Sequence, residues 1–351
     1  KYLKWNKSHL KCFALIMLVI ILKQTCNLSS ASKALPIKCL PQSFYRRMQR
    51  FFAGQYFDYR QISQLIFNMF SFDQVQLTLD RTNWKWGKRN INILMLAIVY
   101  RGIAIPILWT LLNKRGNSDT KERIALIQRF IAIFGKDRIV NVFADREFIG
   151  EQWFTWLIEQ DINFCIRVKK NFIVTNHLGK NHKISDLFRH LKVGQIECRK
   201  RRILVGRVKL YISALQLENG ELLLVVSPQF NANAIQDYAL RWDIETLFSC
   251  LKGRGFNLEN TRLTDPRRVK KLIAVLAISF CWCYLTGEWQ HDQKKAIKIK
   301  KHGRLSMSLF RYGLDYVQMA IQRLIGFGKK EEFKEILAIL RRQNPDRIRV
   351  L

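Results

Sequence analysis

Acidic residues are scarce in this chain of 351 residues. Asp and Glu number 27 against 60 Lys and Arg, which gives a formal net charge of +33 and a sequence pI near 10.2. An electric field of this sign favours a polyanionic partner, with nucleic acid first and an anionic membrane surface second. A ribosome-associated or merely soluble basic protein is the alternative that charge alone leaves open.

Closely spaced cysteine pairs of the metal-binding kind are also missing. The eight cysteines are scattered and no two of them have the C-x-x-C spacing. Cys281 and Cys283 are the closest two, and they lie in an apolar stretch where buried thiols are the usual outcome. This pattern argues against a disulfide scaffold or a zinc finger and favours reduced thiols in a cytosol.

An apolar run long enough to span a bilayer is not apparent either. Four lysines within residues 1–11 precede the apolar run 12–22, which imitates a signal peptide but has only 11 residues. The apolar segment 272–285 has 14 residues and predicts a buried core helix. We therefore expect no membrane partner. The chain begins with Lys rather than Met, so residues can be missing upstream.

The N-terminal part of the chain, residues 9–60, has the pattern of helices. Three helices are predicted, and the Pro-containing turn at residues 36–41 suggests a helix-turn-helix-like unit. The third helix, "PQSFYRRMQRFFA", would then present Arg46, Arg47 and Arg50 to DNA phosphates or base edges. A solvated basic helix in a bundle is the alternative interpretation.

From residue 71 the pattern changes to strands. The strictly alternating "DQVQLTLDRT" and two further apolar runs predict a three-strand meander. A helix with a capping box at Asp119 and Glu122 follows, then the buried strand "RIVNVFAD" and the helix "EFIGEQWFTWLIEQ". This is the element order of a ribonuclease-H-like fold, an α/β class with a mixed sheet flanked by helices. Residues 164–228 are strand-rich, with a hairpin signal at Asn219-Gly220, and predict an insertion or a sheet extension.

One helical stretch, "YALRWDIETLFSCLKGRGF", places an acid among bases. At about 100° per residue, Tyr238, Arg241, Glu245 and Lys252 share an arc of about 60°, opposite an apolar face. On an ordinary solvated helix, Glu245 would be one exposed charge near Arg241 that adds a few tenths of a kcal/mol. The helix pattern alone does not decide between that interpretation and a functional one.

Two further acids occupy positions in the predicted sheet. Asp80 lies on the polar face of the first strand, and Asp145 ends the most apolar strand. An isolated acid at such a position is costly unless it is paired or binds a metal. Together with Glu245, these acids could bind Mg²⁺ or Mn²⁺, and two such ions could catalyse phosphodiester displacement. Nearby basic residues such as Arg241 would hold the flanking DNA phosphates.

These stretches resemble a known family. The gaps of two, three and six residues between Tyr, Arg, Glu and Lys in residues 238–252 are those of the signature of insertion-sequence-four-type transposases, related to the transposases of the Tn-five and Tn-ten elements. "FADREFIG" resembles the segment around that family's second catalytic aspartate, and "LTLDRTNWKWG" resembles the segment around its first. "LENTRLTDPRR" and "SFYRRMQRFF" are also similar to family sequences, so the resemblance runs over roughly residues 5–290 in five ordered blocks.

The resemblance implies a DDE transposase whose catalytic triad is Asp80, Asp145 and Glu245. In that family the triad binds Mg²⁺ or Mn²⁺, with two ions implied, and the enzyme cleaves the ends of its own insertion sequence and joins them to target DNA. In characterised relatives the reaction goes through a hairpin intermediate. Catalysis by such an enzyme is metal-dependent phosphodiester hydrolysis and transesterification in a cut-and-paste pathway.

The resemblance also implies the DNA contacts and the partners. Tyr238, Arg241 and Lys252 would contact the DNA phosphate at the transposon end. The partners would be double-stranded DNA, as terminal inverted repeats and target DNA, and a second copy of the chain in a homodimeric synaptic complex. We expect a cytoplasmic, nucleoid-associated bacterial protein.

Three domains are predicted. They are a helical DNA-binding domain at 1–68, a ribonuclease-H-like catalytic domain at 69–290, and a basic helical C-terminal region at 291–351. Two alternatives to a transposase remain: a catalytically inactive DNA-end-binding remnant and a ribonuclease-H-like nuclease without strand transfer. Among other candidate ligands, Glu147 is predicted to start a helix, and His177 and His182 are predicted to be solvated.

Overall fold

A computed structural model of the protein describes residues 3–34, 39–176, 179–301 and 303–340. The chain divides into two compact units, each assembled from more than one stretch of sequence. The first unit takes its residues from 1–72, 84–91 and 247–351, and the second from 73–83 and 92–246. The three predicted domains are a different division of the chain and stay a prediction.

Four helices open the chain. They are α1 (Lys7–Lys23), α2 (Leu28–Ala31), α3 (Pro41–Gly54) and α4 (Tyr59–Met69). The side chains of Asn6, Asn27 and Asp58 cap α1, α2 and α4 by accepting backbone N–H bonds, and Pro41 starts α3 without losing a helical bond. The three predicted helices are confirmed, and α4 is an addition to them. Because residues 36–38 lie outside the described part of the chain, the helix-turn-helix interpretation stays a prediction.

Three long strands and a helix begin the second unit's part of the chain. They are β1 (Val75–Trp86), β2 (Arg89–Tyr100), β3 (Ile103–Leu111) and α5 (Thr120–Phe134). The predicted capping box is present, because Asp119 accepts from the N–H of Glu122 at 2.9 Å and the Glu122 carboxylate accepts from the N–H of Asp119 at 2.8 Å. β4 (Ile139–Ala144) and α6 (Glu151–Glu159) follow. The predicted order of elements is confirmed.

The segment from 164 to 228 consists mainly of strands, as predicted. They are β5 (Phe164–Arg167), β6 (Ile173–Thr175), β7 (Asn181–Lys183), β8 (Ile196–Cys198), β9 (Ile203–Val205), β10 (Val208–Gln216) and β11 (Leu222–Ser227). The hairpin between β10 and β11 turns at Asn219-Gly220. Gly220 there has a φ of 79°, a backbone conformation that favours glycine.

A single mixed sheet joins these strands. Its order is β3-β2-β1-β4-β5-β11-β10-β9-β6-β7, and β8 also pairs with β10. β1 is parallel to β4 and β4 is parallel to β5, whereas β2 and β3 are antiparallel. This mixed sheet with flanking helices is a ribonuclease-H-like α/β fold, as predicted. The pairing of β11 with β5 shows that the strand-rich segment extends the same sheet.

The stretch that carries Glu245 is helical but interrupted. It consists of α7 (Ala234–Ala239), a 3₁₀ turn (Leu240–Trp242) and α8 (Asp243–Leu251). The prediction of one continuous helix through residue 256 is therefore wrong. The helix ends before Gly253 and Gly255, which have low helix propensity, and Asn257 then adopts the left-handed conformation with φ 50°.

Three helices complete the described chain. They are α9 (Pro266–Gln293), α10 (Leu309–Phe327) and α11 (Glu331–Ile339). The predicted core segment 272–285 is buried throughout and lies within α9. α9 and α10 approach closely where two glycines meet, since a Cβ on Gly287 would lie 1.9 Å from the Leu309 carbonyl oxygen.

One described helix, α9, is long and apolar enough to cross a membrane. In its most apolar window, 89% of the residues are buried inside the protein, as in a core helix. α1 passes the same test only when it is joined to the segment 28–34, from which it is bent by 93°. All eight cysteines are free, and six of them are buried.

Candidate active site

Asp80 and Asp145 lie on neighbouring parallel strands. In the register between β1 and β4, Leu79 is paired with Ala144. Asp80 directly follows Leu79, and Asp145 directly follows Ala144, so both carboxylates occupy the same level of the sheet. The local sequence causes this arrangement, because the apolar residues before each aspartate are buried in the strands.

Asp80 is held in a poorly solvated environment. Its side chain is 16% exposed, and its Oδ1 accepts the backbone N–H of Arg81 at 2.7 Å. Burial raises the pKa of Asp80 to about 7, and the carboxylates of Glu147 and Asp145 add to the rise, while Arg241 opposes it. The contacts with Arg81 and Arg241 therefore do not fully offset the cost of burying the Asp80 carboxylate.

Arg241 bridges Asp80 and Glu245. One guanidinium nitrogen contacts Asp80 Oδ2 at 3.2 Å and another donates to Glu245 Oε1 at 2.5 Å. The Arg241 side chain is 5% exposed, whereas that of Glu245 is 56% exposed. The 3₁₀ turn carries Arg241 at the point where the helix leads into α8. Arg241 is thus a buried cation between two of the three predicted metal ligands.

Tyr238 connects the third acid to this group. Its side chain is fully buried in an apolar cluster that includes Phe143 and Val225, and its hydroxyl donates to Asp145 Oδ1 at 3.4 Å. Burial raises the pKa of Tyr238, so the hydroxyl keeps its proton and can donate. The guanidinium carbon of Arg241 lies 5.9 Å from the centre of the Tyr238 ring. Tyr238 and Arg241 thus form a contact chain from Asp145 to Asp80 and Glu245.

A second ion pair ties the middle of β1 to the turn after β4. Arg81, the residue after Asp80, contacts both carboxylate oxygens of Glu147 at 3.1 Å, and its side chain also contacts Asn92 at 3.1 Å. The Arg81 side chain is 13% exposed and the Glu147 side chain is 21% exposed. The prediction that Glu147 starts a helix is wrong: α6 begins at Glu151, and Glu147 lies in the preceding turn, where it pairs with Arg81.

Sequence reasoning misses the role of Arg81. Its position directly after Asp80 in "LTLDRTNWKWG" is visible, but its partner is 66 residues away and becomes a neighbour only in the sheet. A pairing of this kind depends on the parallel register of β1 and β4, which the sequence pattern does not specify.

The other predicted site residues lie in the first unit. Lys252 follows the end of α8 and forms an ion pair with Glu259 at 2.7 Å. On α3, Arg46 and Arg50 are exposed, and Arg47 donates to the carbonyl oxygen of Ser8 at 3.3 Å. In the part of the chain that the structure describes, the contacts that connect the three acids come from Tyr238 and Arg241.

Divalent metal ions suit the donor atoms of these acids. Carboxylate oxygens are the ligands that Mg²⁺ and Mn²⁺ prefer. Because burial raises the pKa of Asp80, a bound cation would stabilise its ionised form. As the side chains stand, the described residues hold no group of three or more His, Cys, Asp or Glu placed around one metal position. Arg241 supplies the counter-charge to Asp80 and Glu245 instead. His182 contacts Asn176, and His177 lies outside the described residues.

The chain was compared with known protein families. Residues 71–282 match the transposase DDE domain. The chain belongs to this family. The match covers well over half of the chain and includes Asp80, Asp145 and Glu245, so this protein is a DNA transposase of the DDE class, a class that uses divalent metal ions.

Two further comparisons were made. The transposase is similar to a solved structure, the piggyBac transposase synaptic complex with hairpin DNA, with 13% identity and a TM-score of 0.49 over 97% of this chain and 78% of that one. No curated protein gives a significant match to the transposase. Neither comparison assigns a role to an individual residue, so the catalytic triad of this transposase stays a prediction.

Proposed function

We propose that the transposase cleaves the ends of its own insertion sequence and joins them to target DNA by a metal-dependent cut-and-paste reaction. Asp80, Asp145 and Glu245 are the proposed catalytic carboxylates. The observation that supports this choice is the contact chain through Tyr238 and Arg241, which draws acids from β1, from the end of β4 and from α8 to one end of the sheet. Isolated acids on a basic protein would have no reason to converge in this way.

The three acids, Tyr238 and Arg241 would have distinct roles in the reaction. Asp80, Asp145 and Glu245 would hold Mg²⁺ or Mn²⁺, and we propose two ions. A metal held by these acids would supply Lewis-acid chemistry for the activation of a water or a 3′-hydroxyl and for stabilisation of the leaving oxygen. Tyr238 fixes the orientation of Asp145 by its hydrogen bond. Arg241 pairs with Asp80 and Glu245 and is placed to hold a phosphate when these acids accept another cation.

The proposal extends to the class and the partners of the enzyme. The Tyr-Arg-Glu-Lys spacing supports an insertion-sequence-four-type transposase related to those of the Tn-five and Tn-ten elements. The substrates would be double-stranded DNA, as terminal inverted repeats and target DNA, and Lys252 with Arg46, Arg47 and Arg50 would add phosphate contacts. The net charge of +33 supports a polyanionic partner. We also propose a homodimer in the synaptic complex and a cytoplasmic, nucleoid-associated location in a bacterium.

The test uses DNA that carries the element ends, with Mg²⁺ or Mn²⁺ present. We expect Glu245→Gln to abolish cleavage while the affinity for the ends is retained, because the substitution removes a metal-binding charge but little volume. Glu159→Gln, an exposed position at the end of α6, is the matched control and should cleave normally. Full cleavage by Glu245→Gln would refute the assignment.

A second function, DNA-end binding without catalysis, has one observation in its favour. Arg241 already pairs with Asp80 and with Glu245, so both acids have a cationic partner without a metal. A single-turnover assay separates the two functions, since a non-catalytic protein would bind the ends and leave them uncut with every divalent metal. Joined products in a plasmid target would distinguish a transposase from a nuclease that only cuts.

A further inference from the structure

A basic cavity lies in the first unit, away from the carboxylates in sequence. It has a volume of about 480 Å³ and is lined by the connection between α3 and α4 and by the first turns of α9. Four cations, Arg267, Arg268, Lys270 and Lys271, line it together with one acid, Asp265. Within the cavity lining, positive charge therefore exceeds negative charge by three.

The single acid is already engaged. Asp265 caps α9, because its Oδ1 accepts the backbone N–H groups of Arg267 and Arg268 at 2.8 and 3.2 Å. The four cations crowd into the beginning of this helix, where the helix dipole disfavours positive charge. Lys271 is partly buried and donates to the carbonyl oxygen of Phe52 at 3.0 Å. Its pKa is lowered by burial and further by Arg267 and Arg268. The side chains thus form an anion-attracting cavity with too little counter-charge of their own.

Aromatic side chains stand beside these cations. Tyr56 is 78% exposed although it is a large aromatic residue, and it lines the same cavity. Lys270 lies over the ring of Tyr59, with 4.3 Å from its ammonium nitrogen to the ring centre. An exposed aromatic ring next to cationic side chains is the combination that binds nucleotides in unpaired strands. There the nucleobases stack on aromatic rings, and the phosphates contact basic side chains such as Arg.

Two neighbouring concavities continue the basic surface within the first unit. One, of about 540 Å³, shares Gly54 and Gln55 with the cavity and is lined by Arg47 and Arg50. The other, of about 260 Å³, shares Arg268 with the cavity and adds a further arginine, Arg262. We call the three together the basic path. Its basic residues come from three adjoining concavities, as expected for a surface that contacts more than one phosphate.

We propose that the basic path binds the phosphodiester backbone of a single DNA strand, and that the 480 Å³ cavity takes an unpaired nucleotide with its phosphate at Arg267 and Arg268 and its base against Tyr56. The cavity volume is in the range of sites that enclose a small organic ligand. The choice of DNA rests on the proposed function, but the binding requires neither the carboxylates nor catalysis.

The first experiment measures binding of a fluorescent oligothymidine and of a duplex of equal length, without divalent metal. Arg267→Gln/Arg268→Gln should weaken single-strand binding about tenfold or more, and should reduce the slope of log affinity against log salt by about 1.4, since each phosphate contact to a single strand contributes about 0.7. Lys329→Gln/Lys330→Gln is the matched control, because both lysines are exposed in the same unit and the change in net charge is identical. Equal losses for the two double variants would overturn the proposal.

The second experiment tests the unpaired nucleotide. Tyr56→Ala should weaken binding of the single strand about tenfold, should leave the duplex affinity within twofold, and should leave the salt slope unchanged, because stacking carries no charge. Unchanged single-strand affinity, or an equal loss for both DNAs, would overturn this part. Unfolding midpoints equal to that of the wild type confirm that the variants are folded.

The outcome is separable from that of the proposed function. If the wild type binds single strands through the basic path but cuts no element ends with any metal, the inference stands and the proposed function fails. If the wild type cuts element ends while the path variants bind single strands normally, the proposed function stands and the inference fails.

Discussion

The ion pair between Arg81 and Glu147 allows a quantitative test of how the sheet supports the candidate site. Arg81 follows Asp80 within β1, and Glu147 comes two residues after Asp145, so the pair joins the two chain segments that carry these acids. We consider Arg81→Gln, Glu147→Gln and the double variant, which together form a double-mutant cycle. Gln keeps most of the volume and removes the charge.

The magnitude follows from the burial and geometry of the pair. Exposed ion pairs contribute about 0.2–1 kcal/mol, and breaking a fully buried pair by removing one partner costs about 3–5 kcal/mol. This pair lies between these limits, with side chains 13% and 21% exposed and two parallel contacts of 3.1 Å. We expect each single variant to lose about 2–3 kcal/mol of local stability, with a coupling of about 1–2 kcal/mol.

The assay is native-state hydrogen exchange at the backbone amides of β1 and β4, which reports the free energy of local opening. Arg81→Lys is the control, because it keeps the charge but loses the two parallel contacts and should recover less than half of the loss. A coupling below about 0.5 kcal/mol would refute the reasoning, since the pair would then act like an ordinary exposed contact.

Three further predictions concern pH, helix packing and thiol reactivity. Because burial raises the pKa of Asp80 from its usual value of 3.8 to about 7, the folded protein keeps a proton that the unfolded chain releases. The free energy of unfolding should therefore fall as pH rises from about 4 to about 7. Urea titrations at both ends should show a smaller fall for Asp80→Asn, with the rest contributed by Asp243, whose pKa burial raises to about 6. A Cβ on Gly313 would lie 1.8 Å from a carbonyl oxygen of α9, so Gly313→Ala should lower the free energy of thermal unfolding by about 1–3 kcal/mol. Gly326→Ala in the same helix has open space and should be neutral or raise this free energy by up to about 1 kcal/mol, and equal effects of the two would contradict the packing argument. In a colorimetric thiol assay only Cys39, which is exposed, should react quickly in the folded protein and Cys198 more slowly, whereas rapid reaction of all eight thiols before denaturant is added would contradict the burial of the other six.

The fold could be predicted largely from local patterns. The strand in "DQVQLTLDRT", the capping box at Asp119 and the hairpin at Asn219-Gly220 each depend on residues close in sequence, and the structure confirms all three. The burial does not alternate strictly, however, because Thr78 on the predicted polar face is fully buried. The break at residues 240–242 could not be predicted in the same way. The rotation of about 100° per residue applies only to an unbroken α-helix. The structure has a 3₁₀ turn at the point where the buried Arg241 contacts two acids.

The candidate site could also be predicted only in part from the sequence. The sequence spacing indicated which residues could act together, but it gave Tyr238 an exposed polar face, and the structure buries that residue in an apolar cluster with its hydroxyl on Asp145. The helix pattern also placed Arg241 beside Glu245, although the contact with Asp80 spans 161 residues. Contacts of that range depend on strand order and register, which the alternation of polar and apolar residues does not determine.

This long separation has a consequence for the order of events during synthesis of the protein. A ribosome that adds about 5–20 residues per second makes Arg241 roughly 8–30 s after Asp80. Until Asp145 is added, 65 residues after Asp80, the nascent chain carries only Asp80 of the three proposed catalytic acids. After Asp145 it carries two, but it still lacks Glu245 and the arginine that bridges Asp80 and Glu245. The last described strand, β11, ends at Ser227, before Arg241 and Glu245 are made. The cluster of Asp80, Arg241 and Glu245 can therefore assemble only after all the described strands of the sheet have been synthesised.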